Sequence, residues 1–108
     1  MLVKLTRLLE EDIQLNLIED NPFNSRLVYD GIELRNLAIS LNQSGLLTPV
    51  KVRRHEKGYQ LVFGHRRVRA ARLNSWETIR ANISQCSDDE MLKQSIIENL
   101  ERYRDLIT

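Results

Sequence analysis

This 108-residue chain contains few of the residues that cross-link or stiffen a fold. Its single cysteine, Cys86, excludes an internal disulfide and any cysteine-based metal cluster, and fits a reducing cytoplasm. His55 and His65 have no partner at zinc-ligand spacing. With only two prolines and four glycines, the chain has no flexible or low-complexity linker. Neither sign of charge dominates: 16 lysines and arginines stand against 15 aspartates and glutamates, a net +1. That balance excludes a surface that coats nucleic acid by its overall field, so any phosphate affinity must come from a local patch. No apolar run approaches the roughly 18–20 residues of a membrane span. The opening "MLVKLTRLLEED" turns acidic early and carries no cleavage site, so it reads as neither signal nor anchor. The composition that remains, 42% hydrophobic and 29% charged, is that of one soluble globular domain over residues 1–108.

Periodicity then orders the elements. "DIQLNLI" (Asp12 to Ile18) alternates through Ile13, Leu15 and Leu17, which predicts a half-buried strand. "EDNPFNSR" follows as a turn. Asp30-Gly31-Ile32-Glu33 forms a capping box ahead of Leu34, Leu37, Ala38 and Leu41 at helical spacing, and Gly45 is the stop. "TPVKVRR" and "GYQLVFG", linked by "HEKG", predict a strand pair. A helix runs from near Gly64 to about Asn74, and "ETIRANI" (Glu77 to Ile83) is a further strand. Ser87 caps a last helix with Asp88, Asp89 and Glu90 in its first turn and Leu92, Ile96 and Leu100 on one stripe. The prediction is a mixed α/β fold: a small sheet of about four strands with three packed helices. Trp76 and Phe63 have apolar neighbours and read as core, and Cys86 reads as a small hydrophobe near a strand end.

The stretch that carries chemistry is "GHRRVRAAR", Gly64 to Arg72, four arginines in nine residues at a strand-to-helix junction. Arg66, Arg69 and Arg72 share a helix face about 120° wide, while Arg67 points elsewhere. Free N–H groups at a helix start together with guanidinium forks suit an anion, phosphate above all, and Gly64 lets a ligand approach the backbone. The same arginines would equally serve a charged face or internal salt bridges, and spacing leaves both readings open. In "ENLER", Glu98 and Asn99 could offer hard oxygens to Mg²⁺ on a polyphosphate, or Glu98 could simply pair with Arg102. In "NPFNSR", Asn24 and Arg26 could overhang a ligand or belong to a polar turn.

Taken in order, "NPFNSR", "SGLLTPVKVRR", "YQLVFGHRRVRAARL" and "DDEMLKQSIIENLERYRDL" resemble the N-terminal domain of ParB-type partition proteins. That fold is shared with sulfiredoxin and with ParB-like serine kinases. The resemblance implies a CTP-binding module. Its triphosphate would lie on Gly64, His65, Arg66, Arg67 and Arg69, with Asn99 and Arg102 adding to the nucleotide site. Glu98 and Asn99 would hold Mg²⁺. Gly45 to Pro49, with Thr48, would lie by the base and ribose, and Asn24 and Arg26 fall in the box implicated in hydrolysis, with Glu98 as a second catalytic candidate. Activity, where present, would be weak Mg²⁺-dependent CTP hydrolysis.

The resemblance further implies nucleotide-gated homodimerisation on DNA, a partition ATPase as partner, a nucleoid-associated cytoplasmic location and no membrane contact. Sequence-specific DNA reading would belong to a helix-turn-helix domain, which is not present in this chain. His65, Asn24 and Glu101 depart from the usual Glu, Gln and Gln of their boxes, which favours binding over hydrolysis. A phosphotransferase resembling the free serine kinases, with Glu33 or Glu98 as base, and a non-catalytic DNA-bridging module are the alternatives. Sulfiredoxin chemistry is disfavoured because Gly64 stands where that family needs a cysteine, and a nuclease because no compact carboxylate cluster is present.

Overall fold

The computed structural model describes residues 10–24, 30–46 and 48–107. They form a five-stranded mixed sheet and three α-helices: β1 (Glu10–Gln14), a 3₁₀ turn (Leu15–Leu17), β2 (Ile18–Glu19), α1 (Gly31–Ser44), β3 (Val50–His55), β4 (Gly58–Phe63), α2 (His65–Leu73), β5 (Thr78–Ile83) and α3 (Asp88–Ile107). The strand order is β1-β5-β3-β4-β2. The predicted mixed α/β architecture and its three helices stand.

The fifth strand arises where the sequence predicts one continuous strand. Alternation holds through Ile13 and Leu15, both buried, and then fails: Leu17 is exposed and Ile18 takes the buried place. The 3₁₀ turn between them sends the chain across the sheet. β1 pairs antiparallel with β5 at one edge, and β2 pairs parallel with β4 at the other. Arg72 fixes this corner by donating Nη2–H to the Ile18 carbonyl at 2.8 Å. A 3₁₀ corner leaves carbonyls outside any ladder, and a guanidinium is a strong donor for them.

The core lies between the sheet and α2. Val68 and Ala71 meet Ile13, Leu15, Ile18, Val50, Val52, Leu61, Ile79, Ala81 and Ile83. A second cluster joins Ala70 to Ala38 and Leu41 of α1, with Trp76 packed against both. Trp76, expected as core, is partly buried at its margin and donates its indole N–H to Asn42 at 3.1 Å. Asp30 caps α1 through Ile32 rather than Glu33, whose carboxylate pairs with Arg66 instead.

β3 and β4 form the expected hairpin, but its register skips Val62 between the pairs Lys51↔Phe63 and Val52↔Leu61. Such a bulge re-aims the residues that follow it. Here they are Phe63 and Gly64, at the start of α2.

Helix α3 seats on β4 by a different face from the one the sequence suggests. Met91 and Ser95 are buried, whereas Leu92, Ile96 and Leu100 are 44%, 50% and 59% exposed. Met91, Ser95 and Glu98 follow i, i+4, i+7 spacing, so the seated face carries Glu98 inward with it. The apolar stripe points away from the described fold.

Candidate functional site

Gly64 opens the site. It caps α2 at φ 104°, a left-handed conformation that glycine adopts without strain. Space demands glycine as well: a Cβ would lie 2.6 Å from Val50 Cγ1 and 3.3 Å from Arg67 Nη2. The arginine is therefore pressed against the backbone at the helix start, where the peptide dipoles leave partial positive charge.

Arg67 spends one end of its fork on structure. Its Nη1 donates to the carbonyls of Thr48 at 2.5 Å and Pro49 at 3.3 Å, fixing the segment that leads into β3. Its Nε and Nη2 make no hydrogen bond to the described residues. Burial lowers the guanidinium from arginine's ordinary value, and the negative charge of Glu98 works against that shift. The group is still a cation at any ordinary pH, and it is partly stripped of water.

Glu98 closes the other side. Its side chain is 18% exposed, with Oε2 accepting from the Gly64 N–H at 3.3 Å and Oε1 lying 2.8 Å from His65 Nδ1. His65 is 1% exposed, and its Nε2 is 3.1 Å from the Asn21 backbone nitrogen. That backbone N–H can only donate, so Nε2 must accept, and the ring proton of neutral His65 sits on Nδ1 and is donated to Glu98. Asn21 is itself buried. Its side-chain amide donates to the Met91 carbonyl at 2.9 Å and the Val62 carbonyl at 3.4 Å, and its Oδ1 accepts from the Phe23 N–H at 2.9 Å. Polar residues from three remote segments thus form one hydrogen-bonded chain: Asn21 of the turn, His65 of α2 and Glu98 of α3.

Together Leu37, Phe63, Gly64, Arg66, Arg67, Gln94, Ile97, Glu98 and Glu101 line a cleft of about 460 Å³. The structure thereby unites Gly64, Arg66, Arg67 and Glu98, which the sequence predicts as one site. Phe63, expected as core, is half-buried and forms part of the cleft wall.

Other predicted residues fall elsewhere. The sequence predicts contact between His65 and a nucleotide, but the ring lies behind the cleft with both nitrogens occupied, because its neighbours Asn21 and Glu98 bracket it. Arg69 pairs with Asp20 at 3.2 Å, and Thr48 meets the site through its carbonyl to Arg67. Asn99 is on an exposed face of α3. Arg26 lies outside the described residues, and Arg102 lies in α3 with its side chain outside the description.

Asn24 is a different case. It is 7% exposed, yet neither Oδ1 nor Nδ2 has a hydrogen-bond partner among the described residues. A buried amide in that state costs about 1–3 kcal/mol. The residue before it, Phe23, accepts at its carbonyl from Ser95 Oγ at 3.3 Å, so the turn rests on α3 one helical turn before Glu98. Spacing carries no sign of the buried supporting roles of Asn21, Ser95 and His65. Asn21 and Pro22 read as a turn and as the start of the NPFNSR box, but the partners that bury the asparagine side chain lie 41 to 70 residues away.

A metal fits here only in company. Among the described residues no group of three His, Cys, Asp or Glu side chains converges. The two carboxylates at the cleft, Glu98 and Glu101, suit a Mg²⁺ that completes its sphere with substrate phosphates and water.

Known proteins share both the sequence and the fold. The ParB N-terminal domain profile matches residues 4–100. Stage 0 sporulation protein J of Bacillus subtilis is 37% identical over 92 residues, covering 85% of this chain and 33% of that protein. A nucleoid occlusion protein of Halalkalibacterium halodurans is 37% identical over 85 residues, covering 79% and 30%. This chain therefore spans about a third of the length of these curated relatives. The C-terminally truncated chromosome-partitioning protein ParB of Caulobacter crescentus, complexed with CTP-γ-S, superposes with a TM-score of 0.75 at 28% identity. That match covers 85% of this chain and 53% of the solved one. Sulfiredoxin of Arabidopsis thaliana, at 24% identity and a TM-score of 0.65 over 81% of this chain and 96% of its own, shares the fold.

Proposed function

This chain belongs to the ParB N-terminal domain family, and we propose that its cleft binds a nucleoside triphosphate with Mg²⁺, CTP being the expected nucleotide. The single observation that carries the reading is Arg67: a half-buried guanidinium with Nε and Nη2 uncommitted, held against a glycine at a helix start. A phosphate there receives a fixed fork and backbone N–H donors in a partly desolvated setting, where each charge-assisted bond counts for more than in water.

In this reading Arg66 and Arg67 grip the polyphosphate. The segment Gly45 to Pro49, with Thr48, borders the base and ribose. Glu98 would hold the Mg²⁺, which when bound neutralises phosphate charge. Slow hydrolysis is the chemistry, with the unpartnered amide of Asn24 orienting water. Asn24 is one methylene shorter than glutamine, which makes binding the stronger activity. The apolar stripe Leu92, Ile96 and Leu100 supports self-association of two domains once nucleotide is bound. DNA contact and a partition ATPase partner complete the proposed role.

Calorimetric titration with CTP, ATP, GTP and UTP in the presence of Mg²⁺ tests this directly. Saturable binding of CTP in preference to the others is expected, with phosphate and CDP as slow products. No binding of any of the four would overturn the assignment.

A further inference from the structure

The phosphate cradle already contains an anion. Glu98 Oε2 accepts from the Gly64 N–H, at the helix start where the proposed ligand's phosphate would accept. The carboxylate stands beside Arg67, whose guanidinium registers its charge. Its second oxygen is secured by His65, and the tautomer of His65 is fixed in turn by the Asn21 N–H. A carboxylate at a helix N-terminus, with one oxygen on a backbone N–H, has the charge and acceptor geometry of a phosphate oxygen pair.

We infer that Glu98 is a built-in occupant of the phosphate cradle, latched there by His65, and that a polyphosphate binds only as Glu98 gives up the Gly64 N–H. This deepens the nucleotide-binding reading and rests on it. Five charged groups bear on the exchange: Arg66 and Arg67 from α2, which favour either anion; Glu33 from α1, which pairs with Arg66; and Glu98 and Glu101 from α3, which oppose an incoming one. Of the two α3 glutamates only Glu98 holds the Gly64 N–H. Swinging Glu98 outward also strips His65 Nδ1–H of its acceptor, so cradle occupancy is felt at the Asn21 turn through the same ring.

The discriminating experiment compares Glu98→Gln with Glu101→Gln. Each removes one negative charge from the same cleft, but only the first removes the occupant. Inorganic tripolyphosphate in EDTA is the probe, so no divalent cation takes part, and affinity is read by calorimetry. Glu98→Gln is expected to tighten binding roughly tenfold, the equivalent of one charge-assisted contact, and Glu101→Gln by about twofold or less. The Gly64 amide resonance, followed by NMR without ligand, is expected to move in Glu98→Gln and to stay in place in Glu101→Gln.

Equal tightening by the two variants, or an unmoved Gly64 resonance in Glu98→Gln, reduces Glu98 to a bystander charge and overturns the inference while leaving nucleotide binding intact. Failure of every form to bind either tripolyphosphate or CTP with Mg²⁺ removes the function itself, and the self-occupied cradle with it.

Discussion

Two clefts of this molecule both contain arginine, and the larger is the less promising. The cleft at the end of β3 and β5 measures about 960 Å³ and is lined by Glu11, Arg53, Arg54, His55, Ile83, Ser84, Gln85, Cys86 and Asp88. Every nitrogen of the Arg53 side chain is committed there. Nε and Nη2 donate to Gln60 Oε1 at 3.1 and 2.8 Å, and Nη1 donates to the Cys86 carbonyl and to Asp88, both at 2.9 Å. Arg54 stacks over the Tyr59 ring at 5.8 Å. In the smaller cleft Arg67 keeps two nitrogens uncommitted among the described residues, beside a helix start. Volume shows where the protein is concave; the state of the donors shows where a ligand would gain something. Arg53 is a strut, whereas Arg67 is a strut at one end and a hand at the other.

Gly64→Ala should widen this contrast most. The alanine Cβ would meet Val50 at 2.6 Å on a backbone at φ 104°. A loss of about 2–4 kcal/mol of stability is expected, read by chemical denaturation, with nucleotide binding lost as well.

Arg67→Ala comes next. Affinity for CTP should fall about 100-fold by calorimetry, the scale of two charge-assisted hydrogen bonds. A much smaller fall would erase the distinction between the clefts.

Arg53→Ala is the mirror test. Loss of the Gln60, Cys86 and Asp88 contacts should cost about 1–2 kcal/mol in a denaturation curve, since the side chain is only 16% exposed, with CTP affinity unchanged. A shift in affinity would bring the large cleft back into contention.

The smallest effect concerns Cys86. Burial pushes its thiol up, and Glu90 adds to that, while Lys51 and Arg53 pull it down. Only the thiolate reacts, so maleimide labelling near neutral pH should be slower than for a free cysteine and should keep accelerating as the pH rises past 9. Fast labelling at neutral pH would make the large cleft a reactive site.

The sequence displayed local structure well and polar burial poorly. The β3–β4 hairpin, α2 with its glycine cap, and the Ser87 cap of α3 were legible because each is encoded within a few residues. The strand over Asp12 to Ile18 was misleading: alternation carries no sign that the chain turns at Leu15, since that corner is held by Arg72 from far along the sequence. The stripe Leu92, Ile96 and Leu100 satisfies helical periodicity, but α3 seats on Met91 and Ser95 because the Asn21 side chain and the Phe23 carbonyl anchor it there. Gly64, Arg66, Arg67 and Glu98 could be named from their boxes and are brought together. His65 could be named too, but its place behind the cleft depends on Asn21 and could not be read from spacing.

The path of residues 10–19 across the sheet bears on how the domain is made. Both outer strands come from this early segment, yet β1 has no neighbour until β5 exists, and β2 has none until β4 exists. On a ribosome the first strands must wait for nearly the whole sheet to emerge, and their pairing is non-local, the kind that slows folding. Glu98 follows later still. The cradle is therefore completed only after every strand of the sheet has been made and α3 has docked on β4.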